Sequence, residues 1–505
     1  MPARALPATQ PAARPSPSMA GPRGCLSGFR PLLRLLGRAP PESQRKVRMD
    51  KRRATHMYAV RGRIGSGAFG EVSLAASKQG GGDCVLKVVE LEAVRKFEDL
   101  EREVTLHSEM DHPHIVRIYD WFLSRRRTTL SMEWCQGGDL RQALAERECI
   151  DEPEAQPLFA QIMRAVRYMH SKALVHRDLK LDNFLLQKQD VPLERNIVKV
   201  IDFGFAARFV PGTKALKTVC GSPGYTAPEV WKGERYDERC DIFSCGVVLV
   251  CMLGGYCPFE GNTAREVIMR TIHRPLDVSG PDFEHVSRET RRLMLRMCSR
   301  NPDRRPSAEA VLATDFVQES SDSEVDTPDL SPETIINNLL SYCKLDFLVQ
   351  ASRYHVACHL DDASVAIMRK AFNRIDVDGD GLISLEELQR GCGYHGDIGS
   401  VEDMFRTLNL HGSGAIEYTE FLTAMLGRRR LPESACRAAF QSLDAGLRGV
   451  IKARDIAEAL GSECIERLRA SGLPGHQAAG GGKSGGRGFR YEDFVALLST
   501  RPDKP

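Results

Sequence analysis

The chain has 505 residues, 42% hydrophobic and 27% charged, with a formal net charge of +3. Such a length implies more than one domain, and the near balance of charge gives no reason to expect nucleic acid as a partner. Fifteen cysteines with no C-x-x-C pair point to reduced thiols in a cytoplasmic protein rather than a disulfide framework or a zinc site. The longest apolar run, Gly246 to Gly255, is too short to span a bilayer and predicts a buried helix.

Residues 1–57 form an extension rich in Pro, Ala, Arg and Ser, with no acid before Glu42. This composition cannot bury enough apolar surface to offset the entropy of ordering, so disorder is expected. Within it, Phe29 to Arg38 is basic and weakly amphipathic, which leaves a targeting segment or a peripheral membrane contact as alternatives. Pro2 stands where an N-myristoylation signal needs glycine.

Tyr58 to Ile64 reads as a strand that enters Gly65-Ser66-Gly67-Ala68-Phe69-Gly70-Glu71-Val72, a G-x-G-x-x-G-x-V sequence. Glycines at this spacing let backbone N–H groups approach a phosphate. A dinucleotide-binding turn shares the glycines but opens into a helix, whereas Val72, Ser73 and Leu74 favour a second strand. Cys84 to Val88 is an apolar strand carrying Lys87. A buried lysine needs partners, and a phosphate and an acid would serve. Glu101 and Glu103 compete for the latter role, on a helix predicted from Phe97 to Met110.

His176-Arg177-Asp178-Leu179-Lys180-Leu181-Asp182-Asn183 puts a carboxylate, an ammonium and a side-chain amide on one short loop. Phosphoryl transfer asks a protein mainly for positioning and charge cancellation, and these groups supply both. Asp178 suits a proton acceptor, Lys180 a neutralising charge, and Asn183 a Mg²⁺ ligand. Val198 to Gly204 sets Asp202, of an Asp-Phe-Gly triplet, at the end of an apolar strand as a further Mg²⁺ ligand. Ala227-Pro228-Glu229 closes this segment. Thr218 between them is a candidate phosphosite whose added charge Arg177 could pair.

These motifs stand in the order found in protein kinases, and residues 58–316 resemble a complete domain of that α+β, two-lobed fold. The resemblance implies ATP as cofactor, held by Ile64, Gly65, Ser66, Gly67, Ala68, Phe69, Gly70, Val72 and Lys87. It implies Met132 as gatekeeper, Glu133 to Cys135 as the hinge that grips adenine, and Glu103 rather than Glu101 as the partner of Lys87. Asp139 matches a position where many basophilic kinases hold a substrate arginine. Asp241 and Arg305 match structural positions of the large lobe, with Arg305 expected to pair with Glu229. Lys180, two residues after Asp178, resembles serine/threonine kinases, and Phe205 is associated in the family with serine acceptors.

Residues 317–362 begin as a solvated linker rich in Ser, Asp, Pro and Glu. Ile335, Ile336, Leu339, Leu340, Leu345, Phe347, Leu348 and Val356 then recur at helical spacing, which predicts one or two amphipathic helices. Residues 363–499 predict an all-α module of EF-hands. In the loop Asp376 to Glu387, Asp376, Asp378 and Asp380 occupy positions 1, 3 and 5. Gly381 makes the turn, Leu382 offers its carbonyl, Ser384 sits at position 9, and Glu387 gives two oxygens at position 12. This set suits Ca²⁺, which wants about seven oxygens. Further loop starts follow at spacings of 33 and 35 residues. The second loop offers Asn409, Ser413, the Ala415 carbonyl and Glu420, but has His411 at position 3, so its Ca²⁺ binding stands open. The third, Asp444 to Asp455, carries Arg448 in the ligand cage and is expected to be empty. The last unit ends in Phe489 to Phe494 and has lost its ligand positions. Unfilled hands can still pair to bury their apolar helix faces.

Kinase, amphipathic junction and four EF-hand units in one chain resemble the calcium-dependent protein kinases of plant and protist type, over residues 58–499. The resemblance implies a calcium-gated serine/threonine kinase, monomeric, acting on protein substrates with basic residues upstream of the acceptor. Three features depart from that pattern besides Pro2. The junction carries few basic residues, Lys344 and Arg353. One hand alone is fully equipped. Thr218 suits control by an upstream kinase. Two other readings compete: a kinase governed mainly through Thr218 with structural EF-hands, and a calcium-responsive scaffold or pseudokinase. Lys87, Asp178, Asn183 and Asp202 argue against the second, because pseudokinases usually lose at least one of them.

Overall fold

The computed structural model describes residues 49–50, 54–67, 70–78, 82–93, 96–318, 330–392, 398–427, 431–444, 448–452 and 488–499, with 455, 456 and 459. The N-terminal extension, Ala68, Phe69 and most of the Gly-rich stretch 472–488 lie outside these residues, and Ser66 and Gly67 are described by their backbone alone.

The small lobe is a six-stranded sheet. Its strands are β1 (Met49–Asp50), β2 (Tyr58–Gly67), β3 (Gly70–Ser77), β4 (Asp83–Glu90), β5 (Ile118–Leu123) and β6 (Arg127–Met132), in the order β1-β5-β6-β4-β3-β2. β1 runs parallel to β5, and the other neighbours are antiparallel. β2 extends past Ile64 because register shifts after Val60 and Arg63 let the hairpin continue to the Gly67–Gly70 pair. Gly70 is required there, since a Cβ would sit 1.8 Å from the Val88 carbonyl oxygen. The strand–loop–strand reading of the glycine motif therefore holds. Helix α1 (Phe97–Ser108) packs on this sheet through Leu100 and Val104. It ends short of the predicted Met110, where the chain turns into His112-Pro113.

The large lobe is built on α2 (Leu140–Ala145), α3 (Glu152–Ser171), α4 (Arg239–Gly254) and α5 (Arg288–Met297). α3 opens with Pro153 in its first turn, where a missing N–H costs nothing. α4 contains the apolar run and is buried from Cys240 to Leu253, as its sequence predicts. Two short strands, β7 (Phe184–Leu186) and β8 (Val198–Val200), pair antiparallel and carry the catalytic-loop and Asp-Phe-Gly motifs at their ends. β8 stops at Val200 rather than running to Gly204, because Asp202 takes φ 67° and leaves the extended conformation.

The junction forms two helices, α6 (Pro332–Cys343) and α7 (Phe347–Ala357). Their apolar faces, with Ile335, Leu339, Leu348 and Val356, join the core of the C-terminal module. That module contains α8 (Asp362–Ile375), α9 (Leu385–Cys392), α10 (Ile398–Leu408), α11 (Tyr418–Met425), α12 (Glu433–Leu443) and α13 (Tyr491–Leu498). The first two loops are joined by backbone bonds between Ile383 and Ile416, at 3.0 and 2.9 Å. Ile451 and Phe489 join the last two in the same way, at 2.9 and 2.7 Å. The degenerate hands thus pair as their apolar pattern predicts. Among the described residues no helix is long and apolar enough to cross a membrane.

Candidate active site

Lys87 lies on β4 opposite Val72 and Leu130, and its Nζ is 3.5 Å from Glu103 Oε1 on α1. Burial pushes the Glu103 carboxyl above its ordinary range, and the Lys87 charge opposes that rise. α1 is locked to the large lobe by an aromatic stack. The His107 ring lies 4.4 Å from Phe203, and Phe203 lies 5.1 Å from His176. His107 is buried, bonds the Val116 carbonyl at 2.6 Å, and has its pKa lowered to about 4 by burial.

The catalytic loop is held from beneath by Asp241 on α4. Its carboxylate accepts from His176 N at 2.9 Å, Arg177 N at 2.8 Å and His170 Nε2 at 3.1 Å. Burial pushes this carboxyl up, but the His170 and His176 interactions outweigh it and hold it below the usual range. Arg177 is strained at φ 71°, and Asp202 at φ 67°. Strain of this kind persists where surrounding bonds over-determine the backbone.

Asp178 Oδ2 accepts from Lys180 Nζ at 3.0 Å and from Asn183 Nδ2 at 3.4 Å. Asn183 Nδ2 also donates to the Asp178 carbonyl at 2.8 Å, fixing the two residues together. Asp178 Oδ1 is buried and has no hydrogen-bond partner among the described residues. An orphaned acceptor of this kind costs folding energy, and a hydroxyl donor or a cation would satisfy it. This donor set, with Asp202, fits a hard cation bound to oxygen. Lys180 also donates to Ser222 Oγ at 2.9 Å, which brings the end of the activation segment to the same place.

Thr218 is exposed. Its carbonyl accepts from the Tyr236 hydroxyl at 2.6 Å, and that hydroxyl accepts from Arg177 Nη1 at 3.1 Å. Arg305 makes the expected pair with Glu229, buried and bidentate at 2.6 and 2.7 Å. Met132 ends β6 opposite Val85 and Ile118. In the hinge, Glu133 turns its side chain away from the cleft to Lys199 Nζ at 2.8 Å. Asp139 caps α2, accepting from Gln142 N at 2.8 Å.

In the first EF-hand loop, Asp376, Asp378 and Asp380 bring three carboxylates within 4.8 Å of one another. Glu387 accepts at both oxygens from loop N–H groups, among them Val377 N at 2.9 Å and Ser384 N at 3.0 Å. Burial, then the Asp380 and Glu387 charges, push the Asp376 carboxyl well up. Burial, then Asp378, raise Asp380 to about 6. Crowded acids of this kind suit a divalent cation. The second and third loops hold their acids differently. Glu420 accepts from His411 Nδ1 at 2.8 Å, His411 N at 3.0 Å and Glu417 N at 2.8 Å. Asn409 Oδ1 accepts from Ser413 N at 2.9 Å, and Ser413 Oγ donates to the Ala415 carbonyl at 2.7 Å. In the third loop the Arg448 guanidinium is 3.5 Å from Asp455. In these two loops a basic side chain of the loop itself partners the acid at the last position.

The module is seated behind the hinge, on contacts that sequence reading missed. Asp111 Oδ2 accepts from Thr419 N at 3.1 Å and Oδ1 from Thr419 Oγ1 at 2.7 Å. Arg117, whose N–H donates to Glu133 at 3.2 Å, reaches the Ala357 and Cys358 carbonyls at 3.3 and 2.9 Å. The kinase lobe thereby puts an acid at the N-terminus of α11 and a guanidinium at the C-terminus of α7, each the favourable sign for the helix dipole. Lys172 pairs with Glu417 at 3.0 Å. The first calcium loop itself rests on α3. Arg167 is 3.9 Å from Asp378, and a Cβ on Gly381 would lie 2.5 Å from His112 and 2.6 Å from Tyr168. No motif marks these residues, because they are defined only by a partner far away in sequence.

Comparison with known proteins agrees with this geometry. The protein kinase domain family matches residues 58–317, and the EF-hand domain pair matches residues 364–426. Calcium-dependent protein kinase 5 of Plasmodium falciparum is 29% identical over 429 residues, covering 84% of this chain and 74% of the relative. Calcium-dependent protein kinase 4 of the same organism is 30% identical over 428 residues, covering 79% and 80%. Its Plasmodium berghei counterpart is 30% identical over 420 residues, covering 79% and 78%. The chain belongs to the protein kinases and, within them, to the calcium-dependent protein kinase family.

Proposed function

We propose that this protein is a calcium-regulated serine/threonine kinase that transfers the γ-phosphate of ATP to protein hydroxyls. The observation that carries this reading is Asp178, with one oxygen tied by Lys180 and Asn183 and the other buried without a partner. That free oxygen accepts the proton of the substrate hydroxyl as it attacks phosphorus. Lys180 neutralises charge on the group in transfer, and Lys87, steadied by Glu103, orients the phosphates. Glu133 to Cys135 grip adenine through their backbone, beneath the glycine-rich hairpin. Asp202 and Asn183 would hold magnesium, whose role is to cancel phosphate charge. Lys180 favours a serine or threonine acceptor. Asp139, with one oxygen spent on its cap, favours substrates with a basic residue upstream.

Calcium control runs through Asp376, Asp378, Asp380, the Leu382 carbonyl and Glu387. The loops around Glu420 and Asp455 serve as metal-free docking and pairing elements. Calcium acts by favouring one arrangement of module and kinase over another. Here the junction helices lie in the core of the module rather than across the catalytic loop. Phosphorylation of a basic serine peptide with and without calcium tests the reading. Transfer that calcium raises supports it, and transfer indifferent to calcium overturns the regulatory half. Control through Thr218 is a second reading, favoured by its tie to Arg177 through Tyr236.

A further inference from the structure

Besides the first EF-hand loop, one other group of metal-ligating side chains converges among the described residues. The Cys149 sulfur, a carboxylate oxygen of Asp151 and a ring nitrogen of His285 lie within 4.8 Å of one another. Cys149 is a free, partly buried thiol, and the other two residues are exposed. Cys149 and Asp151 stand in the connection from α2 to α3, and His285 in the connection that leads into α5. No C-x-x-C pattern announces this group, because its third member comes from a distant part of the chain.

The backbone fixes both connections. Ile150, between the first two residues, is buried, and its N–H donates to the Met252 carbonyl of α4 at 2.8 Å. Gly255, at φ 76°, closes on the same stretch, where a Cβ would lie 1.9 Å from the Glu148 carbonyl oxygen. Val286, next to His285, is buried as well. Glu152 joins the two connections, accepting from Ser287 N at 2.7 Å, Ser287 Oγ at 2.8 Å and Thr290 Oγ1 at 2.5 Å. Asp151 is the N-cap of α3, a position where aspartate ordinarily accepts from a helix N–H. Here its side chain makes no such bond, and its carboxylate lies beside Cys149 and His285.

We propose that Cys149, Asp151 and His285 bind a zinc ion, which clasps the start of α3 to the segment ahead of α5. One sulfur, one imidazole nitrogen and one carboxylate oxygen are donors that zinc takes in tetrahedral sites, with water in the fourth position. Magnesium and calcium prefer shells of oxygen, so this donor set discriminates against the ions of the kinase and EF-hand sites. On binding, the Cys149 thiol releases its proton to solvent and the imidazole coordinates in its neutral form. The thiolate and the Asp151 carboxylate then cancel the double charge of the ion. Bonds of about 2.0–2.3 Å are within reach of side-chain rotation, with both backbones left in place. The site lies outside the catalytic loop and does not rest on the phosphotransfer reading.

The test uses the full-length protein, reduced and saturated with calcium and magnesium so that the all-oxygen sites are filled. Titration with zinc chloride against a chromophoric chelator should show one ion bound per chain. Cys149→Ser, Asp151→Asn and His285→Gln should each weaken that binding by at least about tenfold. Cobalt in place of zinc should give a thiolate-to-metal absorption band that Cys149→Ser loses. Hydrogen exchange over residues 149–155 and 283–290 should slow on adding zinc to the wild type, and not in the variants. Unchanged exchange in the rest of the large lobe shows that the variants are folded. Absence of zinc binding overturns the proposal, as does binding of equal strength in the wild type and all three variants, or displacement of zinc by magnesium. None of these readouts uses activity, so failure of the kinase reading would leave them untouched.

Discussion

Asp111 holds Thr419 by both carboxylate oxygens, one on the backbone N–H and one on the hydroxyl, and both residues are buried. The first belongs to the kinase and the second to the second EF-hand, so this pair fastens the module to the lobe. Asp111→Ala leaves two donors without an acceptor, at a cost of about 1–3 kcal/mol each where water cannot enter. Hydrogen exchange over Tyr418–Met425 should accelerate accordingly, while the Lys87–Glu103 region keeps its protection. Unchanged exchange in α11 would mean that the contact does not hold the module.

Asp178→Asn keeps the shape of the loop but removes the proton acceptor. We expect kcat to fall by about 10²–10⁴-fold, the range for loss of a general base, with ATP affinity retained. Single-turnover kinetics with nucleotide titration checks this, and wild-type turnover would remove Asp178 from the role.

Glu387→Gln takes a charge from a loop whose position-12 acid, unlike Glu420 and Asp455, meets no histidine or arginine of its own loop. Calcium stimulation of peptide phosphorylation should disappear while basal transfer persists. Glu420→Gln should change the calcium response little, because Glu420 is already held by His411 and Glu417. Calcium titration of both variants decides between them, and a normal response in Glu387→Gln would place the switch elsewhere.

Thr218→Ala should lower the activity of enzyme isolated from cells in which an upstream kinase is active. Mass spectrometry of the wild-type protein should find Thr218 phosphorylated. Full activity of the alanine variant would leave calcium as the sole control.

His107 and His112 are buried neutral, with pKa values lowered by burial to about 4 and about 3. An unfolded chain takes up protons at these rings near pH 6.5, and the folded chain does so only near those lower values. The unfolded state therefore binds more protons in between, and stability falls as pH drops from about 6.5 toward 4, on the order of 3 kcal/mol for each ring. Denaturant unfolding at pH 7 and pH 5 should show the loss, and His107→Gln should reduce it.

The candidate catalytic residues were legible from sequence because the chemistry proposed for them needs particular residue types at short spacing. Lys87, Asp178, Asn183 and Asp202 stand within readable motifs, and Glu229 and Arg305 follow from the same pattern. The first calcium loop was legible for the same reason. The sequence also placed His411 and Arg448 among the ligands, but not their bonds to Glu420 and Asp455, which depend on side-chain reach. Asp111, Arg117 and Thr419 could not be read at all. An acid after a helix, an arginine before a strand and a threonine in a first turn look ordinary until the partner is known.

Gly381, in the turn of the calcium loop, packs on Tyr168 and His112 of the kinase. Whatever free energy calcium gives to seating the module on that helix, seating must return to calcium, since coupling between two binding events is reciprocal. The ion concentration at which the enzyme responds is therefore set partly by Tyr168, His112 and Arg167, residues that never touch the ion. An isolated module should have a different calcium threshold from the whole chain, and each tenfold difference measures about 1.4 kcal/mol of that coupling.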